Sequence, residues 1–178
     1  MGFIFQETHL KGAYVIENHR FLDDRGVYQK NFESNIFKEQ GINFNITESS
    51  DLYTKKGAIR GLHFQDGESQ AKLVRVVKGK IYDVIVDLRK DSDTYMKHFS
   101  ILLEENSNKS LFIPKGFAHG FLAVEDSIFA YHCDGKYQPE YCGGLRWNDP
   151  KLEIEWPLDE YGITDLIITE KDKSWKLL

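Results

Sequence analysis

The nine residues Lys80-Ile81-Tyr82-Asp83-Val84-Ile85-Val86-Asp87-Leu88 constrain the fold more than any other stretch of the chain. They alternate with the period of a β-strand, Tyr82, Val84, Val86 and Leu88 on one face and Ile81, Asp83, Ile85 and Asp87 on the other. The second face is apolar enough to be partly covered, yet it carries two carboxylates. Covered carboxylates need partners. Lys72 and Arg75 are the expected suppliers, on a preceding strand, Lys72 to Val77, that turns at Lys78-Gly79 into a hairpin.

Further strands are expected over Phe99 to Leu103, Ser110 to Ile113 and Ile128 to His132. Helix signals are few. Glu33 to Gln40 reads as a short helix ended by Gly41, and Pro157 to Leu178 is mixed, with one helical turn expected near Asp159. A mainly β chain of 178 residues with a few short helices fits one domain, a sandwich or jelly-roll barrel spanning residues 1–178.

A net charge of −5 excludes a nonspecific nucleic-acid binder, so any anionic ligand must meet a local cluster of cations. Two cysteines, Cys133 and Cys142, are too few for a disulfide framework and read as free thiols in a reducing cytoplasm. No apolar run reaches the ~18 residues of a membrane span, and Met1 to Glu7 lacks the pattern of a signal peptide. The expectation is a soluble, cytoplasmic protein with no nucleic-acid or membrane partner.

Two histidine-bearing segments carry the chemistry. Arg60-Gly61-Leu62-His63-Phe64-Gln65 sets a cation, a turn-permitting Gly and a His within four positions. Ile113-Pro114-Lys115-Gly116-Phe117-Ala118-His119-Gly120-Phe121 follows after the alternating stretch. In this order they suggest a β-barrel whose pocket holds a histidine base and anion-binding cations.

With these segments the chain resembles the dTDP-4-dehydrorhamnose 3,5-epimerases of the cupin superfamily. Other markers are Asp24-Arg25-Gly26, Lys72-Leu73-Val74-Arg75, Asp87-Leu88-Arg89, Tyr131, Tyr137 with Pro139-Glu140, Trp147-Asn148-Asp149-Pro150, Trp156-Pro157 and Lys171-Asp172. The resemblance implies a cupin-type double-stranded β-helix, a homodimer, a nucleotide-diphosphate sugar as substrate, and neither metal nor organic cofactor. It implies inversion of C3, C5 or both beside the ketone of a 4-keto-6-deoxy sugar, in surface-polysaccharide (capsule or lipopolysaccharide) sugar biosynthesis. That chemistry needs a base, a donor or cation at the enolate oxygen, and an acid on the opposite face.

Residue by residue, the resemblance makes His63 the base, Asp172 the carboxylate behind it, Lys72 the cation at the enolate oxygen and Tyr131 the acid on the far face. Asp83, across the expected hairpin, would hold Lys72. Arg60 and Arg25 would hold the diphosphate, Arg25 from the partner subunit of a strand-swapped dimer. His119 would line the pocket, and Phe21, Tyr28 and Tyr137 would stack on the base or sugar.

Three readings compete. A metal-dependent cupin would use His119 in its second motif, but the His-x-His of the first is missing, because Phe64 and Gln65 follow His63. A 3,4-ketoisomerase shares the enolisation, and Tyr131 argues for the epimerase. A binding-only barrel would not need the full set His63, Lys72, Tyr131 and Asp172.

Departures from the family cluster where the nucleotide binds, at Lys30, at Glu48-Ser49-Ser50-Asp51-Leu52 and at Lys136. Glu48 and Ser50 stand where amides usually meet the base. A carboxylate could accept from guanine N1 and N2 while Lys30 meets O6 and N7, so GDP stands beside dTDP, and a heptose beside a hexose, as the expected donor.

Overall fold

The computed structural model describes residues 2–67 and 69–178; Met1 and Glu68 lie outside the described residues. Along the chain come β1 (Ile4–Glu7), β2 (Tyr14–Glu17), β3 (His19–Asp23), β4 (Gly26–Lys30), α1 (Ser34–Glu39), β5 (Glu48–Thr54), β6 (Ile59–Gln65), β7 (Ala71–Lys78) and β8 (Lys80–Asp87). Then follow β9 (His98–Glu104), β10 (Lys109–Ile113), β11 (Phe117–Ala123), β12 (Ser127–Asp134), β13 (Cys142–Gly144) and α2 (Glu170–Lys173). One sheet runs β1-β2-β10-β7-β12-β5 and faces a second, β13-β6-β11-β8-β9, while β3 and β4 form a separate hairpin. This is the expected mainly β jelly roll, and among the described residues no helix is long and apolar enough to cross a membrane.

The core lies between the two sheets. Val74, Leu111 and Phe129 of the first meet Ile81, Ile85, Phe117 and Phe121 of the second. Both sheets are also covered outside. Phe37 of α1 packs on Leu73 and Phe112 of the six-stranded sheet. The segment after β13 runs over the five-stranded sheet, with Leu145 and Leu152 against Val84 and Val86, and Ile163 against Ile59 and Leu122. Coverage on both faces explains why β8 and β11 read as nearly continuous apolar runs.

Lys72–Val77 and Lys80–Leu88 are strands, but they do not form the expected hairpin. β7 pairs with β10 and β12, and β8 pairs with β9 and β11. Gly79, at φ 77°, carries the chain from one sheet to the other. Alternation of apolar residues is the same for a strand that pairs with its neighbour and one that faces it across a core, so the pattern could not separate them.

The carboxylate partners change accordingly. Asp83 bonds His119, and Asp87 accepts from Arg89, Ser92 and Thr94. Arg75 lies three residues from Lys72 and therefore on the opposite face of β7, where the charge of Asp51 acts on it. The helix at Ser34–Glu39 matches the sequence reading, with Gly41 following in the left-handed region. The turn around Asp159 is not helical; the C-terminal helix is Glu170–Lys173 instead, capped by Thr169.

One irregularity re-aims the pocket. Between β6 and β11 the register moves from His63↔His119 to Arg60↔Phe121, so Gly61 and Leu62 together oppose Gly120. Such a bulge adds a residue to one strand and restores a common face to positions three apart. Arg60 and His63 therefore both line one cavity. Gly61 sits at φ 131°, and a Cβ there would collide with Gly120 Cα and His119 O. Gly61→Ala is expected to lower unfolding stability by at least ~2 kcal/mol, from strain plus displacement of β11. Urea unfolding checks this; a loss below about 0.5 kcal/mol would contradict the close approach.

Candidate active site

The cavity sits at the mouth of the barrel, encloses about 310 Å³, and is floored by β6, β11 and β12. His63 reaches it from β6, flanked by His119 of β11 on one side and Gly144 of β13 on the other. Its carboxylate comes from the far end of the chain. After covering the outer sheet, the tail rejoins β6 through a parallel bridge between Ala58 and Ile167. Ile59 N donates to Ile167 O and Ile167 N donates to Gly57 O. Five residues later Asp172 Oδ1 lies 2.7 Å from His63 Nε2.

The imidazole of His63 is 45% exposed and Asp172 is 5% exposed. The buried carboxylate makes Nε2 the protonated, donating nitrogen and leaves Nδ1 to accept a proton.

A second pair lies deeper. His119 Nε2 is 2.6 Å from Asp83 Oδ1, with the two side chains 7% and 0% exposed. Burial pushes the His119 pKa down, against the pull of Asp83, and nearby Lys72 and His63 push the same way. Lys72, on β7, is held below the ordinary lysine range by burial, and Cys133 and Asp83 oppose that shift. Tyr131, on β12, is raised by burial first, then by Cys133 and Glu48, against Arg60. Its phenol is therefore protonated and can donate.

Arg60 lines the cavity, and among the described residues it forms no ion pair, so its guanidinium is available to an anion. Tyr137 stands at the rim beside Cys142, and its hydrogen bond with that thiol raises the phenol. Glu48 and Ser50 open β5 opposite Cys133 and Tyr131, and Ser50 Oγ donates to Glu48 at 3.4 Å.

The hairpin residues do not join the cavity within this chain. Phe21 and Tyr28 pair across β3 and β4, and both are exposed. Arg25, 88% exposed, is bound only to Asp23 among the described residues. Lys30 is tied to Glu33 at 2.5 Å at the root of the hairpin and does not meet Glu48.

Sequence reasoning did not assign roles to Thr169, Lys171, Cys142 and Leu52, which also line the cavity. Lys171 had a signal, since it precedes Asp172 on a single helical turn; the others had none. Both cysteines are free. Among the described residues no group of three or more His, Cys, Asp or Glu is placed to hold a metal ion.

A depressed His119 pKa has a defined consequence. The contribution of neutral His119 to stability is complete above the unfolded value near ~6.5 and falls away as pH drops toward the folded value. In an NMR titration from about pH 8 to about pH 5, His119 is expected to protonate below that ordinary value. A midpoint above it would contradict a buried, neutral His119.

The comparisons agree with one another. A family model described as dTDP-4-dehydrorhamnose 3,5-epimerase matches residues 7–178. The protein of that name from Methanothermobacter thermautotrophicus is 45% identical over 177 residues, 99% of this chain and 95% of the relative. The Escherichia coli K12 protein is 37% identical, covering 93% of this chain and 89% of the relative. Among solved structures, the enzyme from Elizabethkingia anophelis superposes with a TM-score of 0.93 at 34% identity, over 100% of this chain and 97% of the other. The Legionella pneumophila enzyme, in complex with dTDP-4-keto-L-rhamnose, gives 0.92 at 33% identity, over 98% and 92%.

Proposed function

The chain belongs to the dTDP-4-dehydrorhamnose 3,5-epimerase family, and from that premise we propose how its residues carry the reaction. It is a nucleotide-sugar epimerase of deoxysugar biosynthesis. The observation that carries the mechanism is the His63–Asp172 pair at 2.7 Å in a cavity that also holds a protonated phenol.

His63, through Nδ1, removes the proton beside the C4 ketone, and Asp172 stabilises the imidazolium that results. Lys72, buried within electrostatic reach of His119 in the cavity wall and with its charge favoured by Asp83, stabilises the enolate oxygen. Tyr131 returns a proton to the opposite face, which inverts the carbon. Arg60 binds the diphosphate, and Tyr137 closes over the sugar. Residues 1–178 act as one catalytic domain in the cytoplasm, and the product feeds surface-polysaccharide assembly.

The nucleotide is dTDP, the one named for the relatives above. The guanine reading needed Lys30 and Glu48 on one base, and Lys30 is instead neutralised by Glu33. Glu48 and Ser50, at the rim beside Tyr131, contact the thymidine end of the substrate.

The working unit is a homodimer. An isolated two-stranded hairpin with exposed apolar side chains is only marginally stable alone. The hairpin of β3 and β4 carries Phe21, Leu22, Val27 and Tyr28 outward, together with Arg25. Covered by a second subunit, it brings Arg25, Phe21 and Tyr28 to that subunit's nucleotide.

Two measurements test this reading. Product inhibition by dTDP is expected to be at least tenfold stronger than by GDP, a difference of about 1.4 kcal/mol; equal or stronger GDP inhibition would contradict the nucleotide assignment. Tyr131→Phe is expected to keep exchange of the protons beside the ketone while lowering formation of the inverted sugar by about 10²-fold or more. Unimpaired inversion would remove Tyr131 from the acid role.

A further inference from the structure

Asp172 sits on α2, a helix of four residues. A helix that short does not hold its own orientation in water. Thr169 caps its start, accepting from Asp172 N at 3.2 Å. What fixes the other end is Trp175. Its indole lies directly on Gly144, so closely that a Cβ at Gly144 would collide with Cε2, Nε1 and Cδ2 of the ring. Gly144 is also the residue opposite His63 in the β13–β6 pairing. The strand pair that carries the base thus provides the seat for the ring that holds the carboxylate. Lys171, between them, places its ammonium 5.7 Å from the centre of the same ring, where cation and π-face attract.

We propose that Trp175 and Gly144 are positioning residues for catalysis: their contact docks α2 on β13 and thereby holds Asp172 against His63. Removing the ring, or adding a methyl to its seat, displaces α2. A carboxylate displaced by about 1 Å no longer fixes the imidazole, and losses of that kind reach about 10²-fold in rate. The indole Nε1 is buried without a partner, so the ring acts through its shape rather than as a donor. Phenylalanine therefore suffices where alanine does not.

The inference rests on the His63–Asp172 reading above. The test measures kcat and KM for Trp175→Ala, Trp175→Phe, Gly144→Ala and Asp172→Asn, and for the double variant Trp175→Ala with Asp172→Asn. Trp175→Ala and Gly144→Ala are expected to lower kcat by about 10-fold to 100-fold with KM changed less than about threefold, while Trp175→Phe stays within about threefold of the parent. The double variant is expected to be no slower than Asp172→Asn alone, because both changes remove one interaction. If Asp172→Asn is impaired but Trp175→Ala slows it further by its full single-variant factor, the positioning role is overturned and the dyad stands. An unimpaired Asp172→Asn protein would overturn the dyad and the positioning role together. A rise in KM with kcat intact, or loss of folding in both Trp175→Ala and Gly144→Ala by circular dichroism, would also overturn it.

Discussion

The pairing of β6 with β11 is the constraint on which the rest of the site depends. It places His63 opposite His119 and, through the extra residue at Gly61-Leu62, turns Arg60 to the same side as His63. A regular ladder would send Arg60 and His63 to opposite faces, because side chains alternate with period two. The bulge requires backbone to approach backbone, and Gly61 against Gly120 is what permits it.

Two histidine–carboxylate pairs of the same kind then serve different ends because their burial differs. His63 is nearly half exposed to the cavity, so it can exchange protons with a bound molecule while Asp172 keeps one nitrogen occupied. His119 is buried with Asp83 and pressed toward neutrality by burial and by Lys72 and His63. With its Nε2–H given to Asp83, neutral His119 has only an accepting nitrogen left, so the group suited to an oxygen that gains charge in the transition state is the cation Lys72.

Much of this was legible in the sequence. The alternation through Lys80 to Leu88 announced a covered strand with carboxylates facing inward, and the two histidine segments announced the pocket. What could not be read was which strand faces which. The expected hairpin offered Lys72 and Arg75 to the two carboxylates and set Asp83 against Lys72, whereas sheet crossing at Gly79 gives Asp83 to His119 and Asp87 to Arg89. Nor could the end of the chain be read locally. Glu170-Lys171-Asp172-Lys173 has the composition of a solvated turn, and only the return of the tail along β6 buries Asp172. The resemblance supplied that residue; the local pattern did not. Arg25, Phe21, Tyr28 and Lys30 lie on a hairpin outside the cavity of their own chain, which no periodicity signals.

The account stands most directly on His63 as the base. Proton NMR of a dTDP-linked 4-keto-6-deoxy sugar in deuterium oxide, with the parent protein and with His63→Ala, measures that step alone. The account predicts that the parent protein exchanges protons beside the ketone and accumulates an epimer, and that His63→Ala slows the exchange by about 10²-fold or more. Exchange at the parental rate in His63→Ala would contradict it.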